Sequence, residues 1–402
     1  MIRRVGAFAL AALAWSATVW AQDKEEKKAE EEGFVFSTVK EVPITSIKNQ
    51  NKSGTCWAYS GLGFFEAELL RMGKGEHDLC EMFLAHKTYE DRATASVRLH
   101  GDISFTEGGS FNDAVYCMRH YGMVPEEAMP KPGEPYGDTL ANFQEMWPVV
   151  NGIVEGITKG KQKKLTPAWH KAVVAALDTY LGPVPEKFTV GGKEYTPKSY
   201  QESLGLNMDD YVGLTSFTHH PFYEPFIIEV QDNWRWGESY NLPIDEFMEV
   251  MENAVNSGYT FAWGADVSET GFTRDGIAVC PDAEHGADIT GSDMARWTGL
   301  NVMEKRKELT KRPLPEIEVT QEMRQAAYDN WETTDDHGML VYGLAKDQNG
   351  KEYFMVKNSW GTSGKYKGVW YASKTFVKYK TMNILIHKDA IPKAIRKKMG
   401  IK

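Results

Sequence analysis

The sequence predicts an α+β protein, and three observations lead to that assignment. An apolar pattern with helical spacing begins at Cys56, a strand pair joined by an Asn-Gly turn follows Asp336, and the long stretch between them contains further helix starts. Of the 402 residues, 42% are hydrophobic and 25% are charged, which is typical of a globular protein and excludes a disordered or fibrous chain. The net charge of −10 and the lack of a Lys/Arg stripe argue against a nucleic-acid partner.

Residues 1–21 have the features of a secretory signal peptide. Arg3 and Arg4 precede a largely apolar run, and Ala17 and Ala21 are the candidates for the last residue removed. The run is shorter than the roughly 20 residues that cross a membrane, so we expect cleavage rather than an uncleaved anchor. Residues 22–33 are predicted to be a charged tether. We expect a periplasmic or secreted mature protein with no membrane segment.

Four cysteines are present, at positions 56, 80, 117 and 280. An even number in an exported chain is compatible with disulfides, but four is sparse for this length. No Cys-x-x-Cys pair occurs, so a zinc site is not indicated. If one cysteine is a working thiol, at most one bridge can form among Cys80, Cys117 and Cys280, and the sequence leaves that pairing open.

The segment around Cys56 predicts a nucleophile at a helix start. Apolar residues recur behind it at three- and four-residue steps: Ala58, Leu62, Phe65, Leu69 and Met72. With Ser53 or Thr55 as the cap, Cys56 lies where unpaired N–H groups and the helix dipole favour a thiolate. The amide of Gln50 and the N–H of Cys56 would form an oxyanion hole. Taken alone, Cys56 also fits a buried structural cysteine.

A base and the residue that orients it are predicted on one hairpin. Its parts are a strand, an Asn-Gly turn and a return strand: Asp336–Gly343, Asn349-Gly350 and Glu352–Lys357. A His337–Asn358 pair is centred near Asp347 and Gln348, within a residue or two of the turn signal, so we expect the two residues to face each other across the two strands. An Asn oxygen that accepts from one imidazole nitrogen fixes the tautomer and leaves the other nitrogen for Cys56. Trp360 would shield that hydrogen bond from water.

These residues together resemble the papain superfamily of cysteine peptidases. Gln50, Cys56, His337 and Asn358 stand in the family's order, and the segments at 56–60 and 358–361 match its two best-known signatures. The resemblance implies a papain-like two-lobe fold. In that fold the nucleophile begins the central helix of a helical lobe, the His and Asn come from an antiparallel β-barrel-like lobe, and an extended peptide binds between the lobes.

The spacing of the motifs resembles one branch of that superfamily. Cys56 and His337 are 281 positions apart, whereas about 130–150 is common in papain-type enzymes. The short region before Phe34 leaves no room for a long inhibitory pro-segment. Both features resemble bleomycin hydrolase and aminopeptidase C, which carry large insertions. In that branch a C-terminal arm enters the cleft and restricts cleavage to peptide N-termini, whereas the tail after Asn383 is basic here.

The resemblance also assigns substrate-binding positions and domain boundaries. Gly108 and Gly109 match the glycine pair along which a substrate backbone lies, because a residue without Cβ lets a ligand approach closely. The resemblance also assigns Trp360 to substrate binding. The predicted organisation is a signal peptide at 1–21, a tether at 22–33, the helical lobe at 34–125, a partly helical insertion at 126–245, and the β-rich lobe with its basic tail at 246–402.

The insertion contains features that allow other interpretations. Helices are expected to start near Thr166 and Pro197, and the aromatic segment Phe217–Pro225 fits either a cleft wall or a packed loop. His219 and His220 suggest a metal, but adjacent side chains are expected to point apart, so no metal site is predicted. The acidic residues at 282–293 lack the ligand spacing of a calcium loop.

The combined prediction is an exported papain-like cysteine peptidase that forms a thiol acyl-enzyme. An aminopeptidase is expected in preference to an endopeptidase of the same fold. A non-catalytic peptide-binding module and a disulfide-stabilised scaffold are the alternatives from other classes. The predicted partner is a peptide substrate, no cofactor is implied, and the resemblance allows a homo-oligomer.

Overall fold

The structure is a computed structural model that describes residues 33–282, 297 and 299–402. The predicted signal peptide, nearly all of the tether and most of the acidic 282–293 loop lie outside the described residues. Within the described part of the chain, no helix combines the length and apolarity needed to cross a membrane.

Helices occur throughout the described chain. In order they are α1 (Cys56–Arg71), α2 (Glu81–Arg98), α3 (Phe111–His120), α4 (Phe143–Thr158), α5 (Ala168–Leu181), α6 (Pro197–Leu204), α7 (Ile244–Asn256), α8 (Val302–Leu309), α9 (Gln321–Asp329), α10 (Lys374–Lys380) and α11 (Lys393–Lys398). The strands are β1 (Ser37–Glu41), β2 (Phe188–Val190), β3 (Lys193–Tyr195), β4 (Tyr211–Thr215), β5 (Pro225–Ile227), β6 (Glu238–Asn241), β7 (Phe261–Ala265), β8 (Ile277–Ala278), β9 (His337–Lys346), β10 (Glu352–Lys357), β11 (Val369–Ser373) and β12 (Thr381–His387).

The helix predicted behind Cys56 is confirmed as α1, which begins at the cysteine itself. Its residues from Trp57 to Leu69 are buried on every face, so α1 forms the centre of a lobe rather than a surface helix. The predicted cap is only half right. Thr55 occupies the cap position but makes no side-chain cap bond, because its hydroxyl meets that of Ser53 at 2.6 Å.

The first hydrophobic core surrounds α1 and includes part of the segment predicted as an insertion. Helices α2 and α3 contribute Phe83, Tyr89 and Phe111, while α4 and α5 contribute Phe143 and Leu177. Each of these large apolar side chains contributes about 1.5–3 kcal/mol by burial. Residues from α4 and α5 therefore extend the helical lobe instead of forming a core of their own.

The second core lies on a ten-stranded mixed sheet. Its strand order is β5-β6-β4-β12-β7-β9-β10-β11-β8, with β1 paired to β9. The pairs β4/β6 and β8/β11 are parallel, whereas the other strand pairs are antiparallel. Strand β9 is buried from His337 to Ala345, and it packs against α1. The strands β4–β6, which also come from the predicted insertion, extend this sheet.

The predicted hairpin is present, but its predicted register is wrong. Glu352 pairs with Lys346 beside the turn, and a bulge between Met355 and Val356 moves the later pairs so that Lys357 faces Leu340. His337 lies beyond these pairs and faces Ala265 of β7 instead of Asn358. The difference is present beside the turn, before the bulge, because the Glu352–Lys346 pair has an index sum of 698 whereas a His337–Asn358 pair requires 695.

The basic tail forms the short amphipathic helix α11, as one interpretation of its sequence suggested. Ile395 and Met399 are buried in the second core, and Lys398 Nζ lies 2.7 Å from a Glu246 carboxylate oxygen on α7. No described residue after Asn383 lines the space around Cys56. The tail therefore packs against the β-rich lobe, away from the thiol.

Candidate active site

The thiol of Cys56 lies partly buried at the N-terminal end of α1, facing the first residues of β9. Burial raises the pKa of this thiol to about 12, and the N–H groups of Gly338 and Trp57 oppose that rise. The α1 dipole also favours the anion at this position. A lone thiolate is therefore disfavoured here, and the site needs a partner that takes the thiol proton.

Gly338 allows β9 to approach α1 closely enough for that partner. A Cβ added at Gly338 would lie 2.6 Å from Ser60 Oγ and 3.3 Å from Trp57 Cα, both on the first turns of α1. The Ser60 hydroxyl in turn donates to the Cys56 carbonyl oxygen at 2.7 Å. Only a residue without a side chain fits between strand and helix, and His337 precedes it.

The imidazole of His337 is oriented by Asn358. His337 Nε2 and Asn358 Oδ1 are 2.8 Å apart, and the same oxygen accepts the N–H of Ser359 at 2.7 Å. Because that second contact identifies Oδ1 as an acceptor, Nε2 carries the proton and donates it. Nδ1 is then unprotonated and available to a neighbouring thiol. The pair meets despite the shifted register, since the side chains reach diagonally between strand ends.

Burial also disfavours charge on His337. It lowers the pKa of the imidazole to about 4, although the hydrogen bond to Asn358 and the charge of Asp336 raise it. The thiol and the imidazole are thus both neutral when considered singly. A proton that moves from Cys56 to His337 creates two opposite charges together, and each then stabilises the other in this desolvated place.

Gln50 lies in the cleft beside Cys56, but its amide is more constrained than expected. Its Nε2 donates to the Ser53 carbonyl at 2.7 Å, and its Oε1 accepts from Ser359 Oγ at 2.5 Å. The Gln50 backbone N–H donates to the Ser359 carbonyl at 2.8 Å. One amide N–H remains for an oxyanion. These contacts join the loop before Cys56 to the segment after Asn358.

Trp360 stacks near the His337 ring. Their ring centroids are 4.9 Å apart, and Trp360 in turn contacts Phe272 and Trp370 edge-on. Trp360 also lines the wide cleft around Cys56. Its position suits both roles considered from the sequence, which were shielding the His337 hydrogen bond and contacting a peptide.

The glycine pair lies beside Cys56, but Gly108 is covered. A Cβ added at Gly108 would lie 1.9 Å from an Asp232 carboxylate oxygen, and the Gly108 carbonyl accepts from Arg92 Nη1 at 2.6 Å. Gly109 has the ring of Trp57 on one side, 2.8 Å from an added Cβ. The expected backbone pairing of a peptide along this edge is therefore interrupted at Gly108 by Asp232.

Two connected spaces open around Cys56 and His337. The smaller has a volume of about 30 Å³, and its lining includes residues of the 228–239 segment. The larger is a cleft of about 1150 Å³ that runs past Gln50 and Trp360 and reaches Trp147 and Trp331. The thiol thus lies between a small pocket and a wide cleft.

The expectation that the side chains of His219 and His220 point apart is wrong. Their Nε2 atoms converge on one carboxylate, with Glu229 oxygens 3.2 and 3.3 Å away. The three side chains form a group that could hold an ion. Both rings also pack on Phe226, so the aromatic segment is largely a packed loop beside the cleft.

All four cysteines are free. Cys80, Cys117 and Cys280 are buried in the two cores, and burial raises the pKa of each thiol. The scaffold alternative required Cys56 to be oxidised, whereas a nucleophile requires the free thiol that is present here.

The comparisons with known proteins agree with this geometry. A family model described as the Peptidase C1-like family matches residues 285–401. "Aminopeptidase C" of Streptococcus thermophilus is 23% identical over 407 residues, covering 89% of this chain and 83% of the relative. "Aminopeptidase G" of Lactobacillus delbrueckii subsp. lactis is 21% identical, with coverage of 89% and 84%. The chain is a cysteine peptidase that is similar to the papain superfamily.

The peptidase also shares its fold with a solved relative. The crystal structure of pepw from Lactobacillus rhamnosis superposes with a TM-score of 0.65 at 17% identity, covering 100% of this chain and 96% of that one. The predicted papain-like α+β fold is thereby confirmed, and the sequence likeness is to the aminopeptidase C and bleomycin hydrolase type.

Sequence reasoning missed the charged residues that surround the thiol. Asp232 and Arg92 come from segments 140 positions apart and meet in the cleft wall, with Arg92 Nη2 3.3 Å from Asp232 Oδ1. Asp335 lies two positions before His337, and it lines the small pocket. The acidic pair before His337 was a signal at this position, whereas nothing local to Asp232 indicated its place.

Proposed function

We propose that the peptidase is an aminopeptidase that removes residues from peptide N-termini through a Cys56 thioester. The single observation that carries the exopeptidase assignment is the position of Asp232 over Gly108. A peptide that extended past the residue at the thiol would collide with that side chain. A substrate that begins there does not, and its remaining length lies in the wide cleft.

The proposed reaction begins with proton transfer. His337 Nδ1 takes the proton of the Cys56 thiol as the sulfur attacks the carbonyl carbon of the first peptide bond. The carbonyl oxygen becomes an oxyanion that the N–H of Cys56 and the free N–H of Gln50 stabilise. Asn358 keeps the imidazole in the orientation and tautomer that this transfer requires.

Three proton transfers complete the cycle. His337 gives its proton to the nitrogen of the leaving peptide, the C–N bond breaks, and the first residue stays on Cys56 as a thioester. His337 then removes a proton from water, whose oxygen attacks the thioester carbon. The amino acid leaves with a new carboxyl group, and the thiol regains its proton.

Labelling and activity tests address the nucleophile. Iodoacetamide should alkylate Cys56 far faster than the three buried cysteines, and Cys56→Ala should abolish hydrolysis of an amino-acid aminocoumarin amide. The matched control is Cys117→Ala, which removes a buried thiol of the same lobe away from the cleft. Full activity in Cys56→Ala would overturn the proposed chemistry.

A comparison of blocked and free N-termini addresses the exopeptidase assignment. The same amide with a free amine should be hydrolysed and its N-acetyl form should be nearly inert. Equal turnover of both would support an endopeptidase instead.

We also propose export, based on the composition of residues 1–21, and assembly into a homo-oligomer, based on resemblance. N-terminal sequencing of the protein recovered from cells should begin after Ala17 or Ala21, and retention of Met1 in an extracytoplasmic fraction would contradict cleavage. Light scattering of the purified protein measures the oligomeric state, and a mass of one chain would contradict assembly.

A further inference from the structure

Three carboxylates line the small pocket beside Cys56, those of Asp232, Asp335 and Asp336, and the chemistry of peptide cleavage uses none of them. Asp335 belongs to the segment before β9, and Asp232 belongs to the segment between β5 and β6. Asp232 and Asp335 line this pocket together with Cys56, and their negative charges raise the pKa of its thiol. The pocket has no such group in its other wall, which Ser110, Phe111 and Asn383 form.

Asp232 is held in place with one oxygen committed and one free. Its Oδ1 accepts from Thr106 Oγ1 at 3.0 Å and from Arg92 Nη2 at 3.3 Å. Its Oδ2 has no hydrogen-bond partner among the described residues and is the atom that lies over Gly108. A carboxylate that is fixed through one oxygen presents the other to a ligand with little loss of conformational freedom.

Arg92 fixes Asp232 and the glycine pair as one unit. Its guanidinium is fully buried and also donates to the carbonyl oxygens of Ser104, Gly108 and Gln231. A buried arginine with this many backbone acceptors is a rigid support. The distance between Asp232 and the edge where a peptide would lie is therefore set by the fold.

Asp335 differs from its neighbour Asp336 in having no partner. Asp336 accepts from the N–H groups of Val267 and Ser268 and from the Thr334 hydroxyl, so it fixes the loop. Asp335 makes no hydrogen bond or ion pair with any described residue. Burial raises the pKa of Asp335 to about 7, and the negative charges of Asp232 and Asp336 add to that rise. A cation placed beside it would relieve this unfavourable environment.

We propose that Asp232 and Asp335 together bind the protonated α-amino group of the substrate. This inference rests on the proposed aminopeptidase function and adds the residues that select the N-terminus. The ligand is the ammonium group of the residue whose carbonyl carbon Cys56 attacks, so it lies within one residue of the thiol. Asp232 Oδ2 both ends the channel at Gly108 and supplies one of the two negative charges.

Asp232 and Asp335 would select peptide N-termini, the role that a C-terminal arm has in the bleomycin hydrolase branch. Helix α11 and the residues after it pack on the second core, and no described residue after Asn383 reaches the pocket. The selecting charges come instead from inside the chain, from the segment before β6 and the segment before β9.

Steady-state kinetics on the full chain test this inference. The substrates are alanine aminomethylcoumarin amide, its N-acetyl form, and the propionyl amide, which lacks the amine but keeps the shape. Asp335→Asn and Asp232→Asn should each reduce kcat/KM for the alanine amide about 10- to 100-fold, the loss expected for a charge-assisted hydrogen bond. The rate on the propionyl amide should change much less, because that substrate has no ammonium to bind and responds only to the altered charge beside the thiol.

The matched control is Asp329→Asn, which removes a carboxylate from the wall of the wide cleft but not from the small pocket. It should keep the wild-type ratio between the alanine and propionyl amides. Asp335→Asn breaks no observed contact, so it should fold normally, and its thermal unfolding and iodoacetamide labelling should verify this.

The two proposals fail in distinguishable ways. A wild-type enzyme that hydrolyses the alanine and N-acetyl amides equally overturns the aminopeptidase function, before any variant is considered. A wild-type enzyme that prefers the free amine, with either Asn variant keeping that preference in full, overturns only the Asp232–Asp335 assignment.

Discussion

Replacing Gly338 by alanine should separate the imidazole from the thiol. The added Cβ would lie 2.6 Å from Ser60 Oγ, whereas real Cβ atoms essentially never come closer than 3.0 Å, so strand and helix must move apart by about 0.4 Å or Ser60 must rotate. Ser60 is bonded to the Cys56 carbonyl, so either response disturbs the nucleophile. A misplacement of about 1 Å can cost a hundredfold in rate, so we expect kcat/KM to fall about 10- to 100-fold.

The assay needs to separate this geometric effect from simple overpacking, which costs about 1–3 kcal/mol. Gly343→Ala is a matched control on the same strand, because its Cβ would meet Met355 Sδ at 2.8 Å and the Lys40 carbonyl at 2.9 Å, away from the thiol. Both variants should lose similar stability in urea unfolding, and only Gly338→Ala should lose activity.

A second substitution sharpens the test. In the Gly338→Ala/Ser60→Ala double variant the closest clash is removed and the next neighbours lie 3.3 Å from the Cβ, so its activity should approach that of Ser60→Ala alone, which lacks only the hydrogen bond to the Cys56 carbonyl. Wild-type kcat/KM in Gly338→Ala, or an equal activity loss in Gly343→Ala, would refute the claim that this close approach positions His337.

Three further predictions follow from the same contacts. Asn358→Ala removes the acceptor of His337 Nε2 at 2.8 Å and should lower kcat about tenfold or more with little change in KM, as steady-state kinetics would show; unchanged kcat would contradict the orienting role. Asp335→Asn should stabilise the fold in urea titrations. The folded-state pKa of Asp335 is raised to about 7, so ionised Asp335 disfavours folding. The gain in the free energy of unfolding should therefore be large at pH 8 and shrink towards pH 4. A gain that grows at low pH would contradict this sign. Arg92→Met leaves Asp232 without its ion-pair partner, although the hydrogen bond from Thr106 remains, and should lower the free energy of unfolding by about 3–5 kcal/mol, whereas a loss below about 1 kcal/mol would contradict the supporting role.

Features with a local physical signal were predictable from the sequence. The periodic apolar residues predicted α1, and the Asn-Gly turn predicted the β9–β10 hairpin, because both signals act within a few residues. The residue types of the site were predictable for the same reason, since a cysteine at a helix start and a histidine on a strand are chemical patterns. The residues that contact these site residues from distant segments were harder to predict.

Features that depend on tertiary packing could not be read from the chain. The register of Asn358 was missed because the strands pair about Asn349, whereas the predicted pairing was centred near Asp347 and Gln348. His219 and His220 were expected to diverge, but the loop turns both rings towards Glu229. Asp232 reaches Gly108 only because Arg92, far away in the sequence, holds both segments.

The ratio of kcat/KM for the alanine amide to that for its N-acetyl form tests the central claim most directly. The claim is that Asp232 ends the channel one residue beyond the thiol and that an amine binds there. The account predicts a ratio of at least about 100, because an acetylated substrate loses the charge interaction and collides with Asp232. A ratio near one, from an enzyme whose activity Cys56→Ala abolishes, would contradict it.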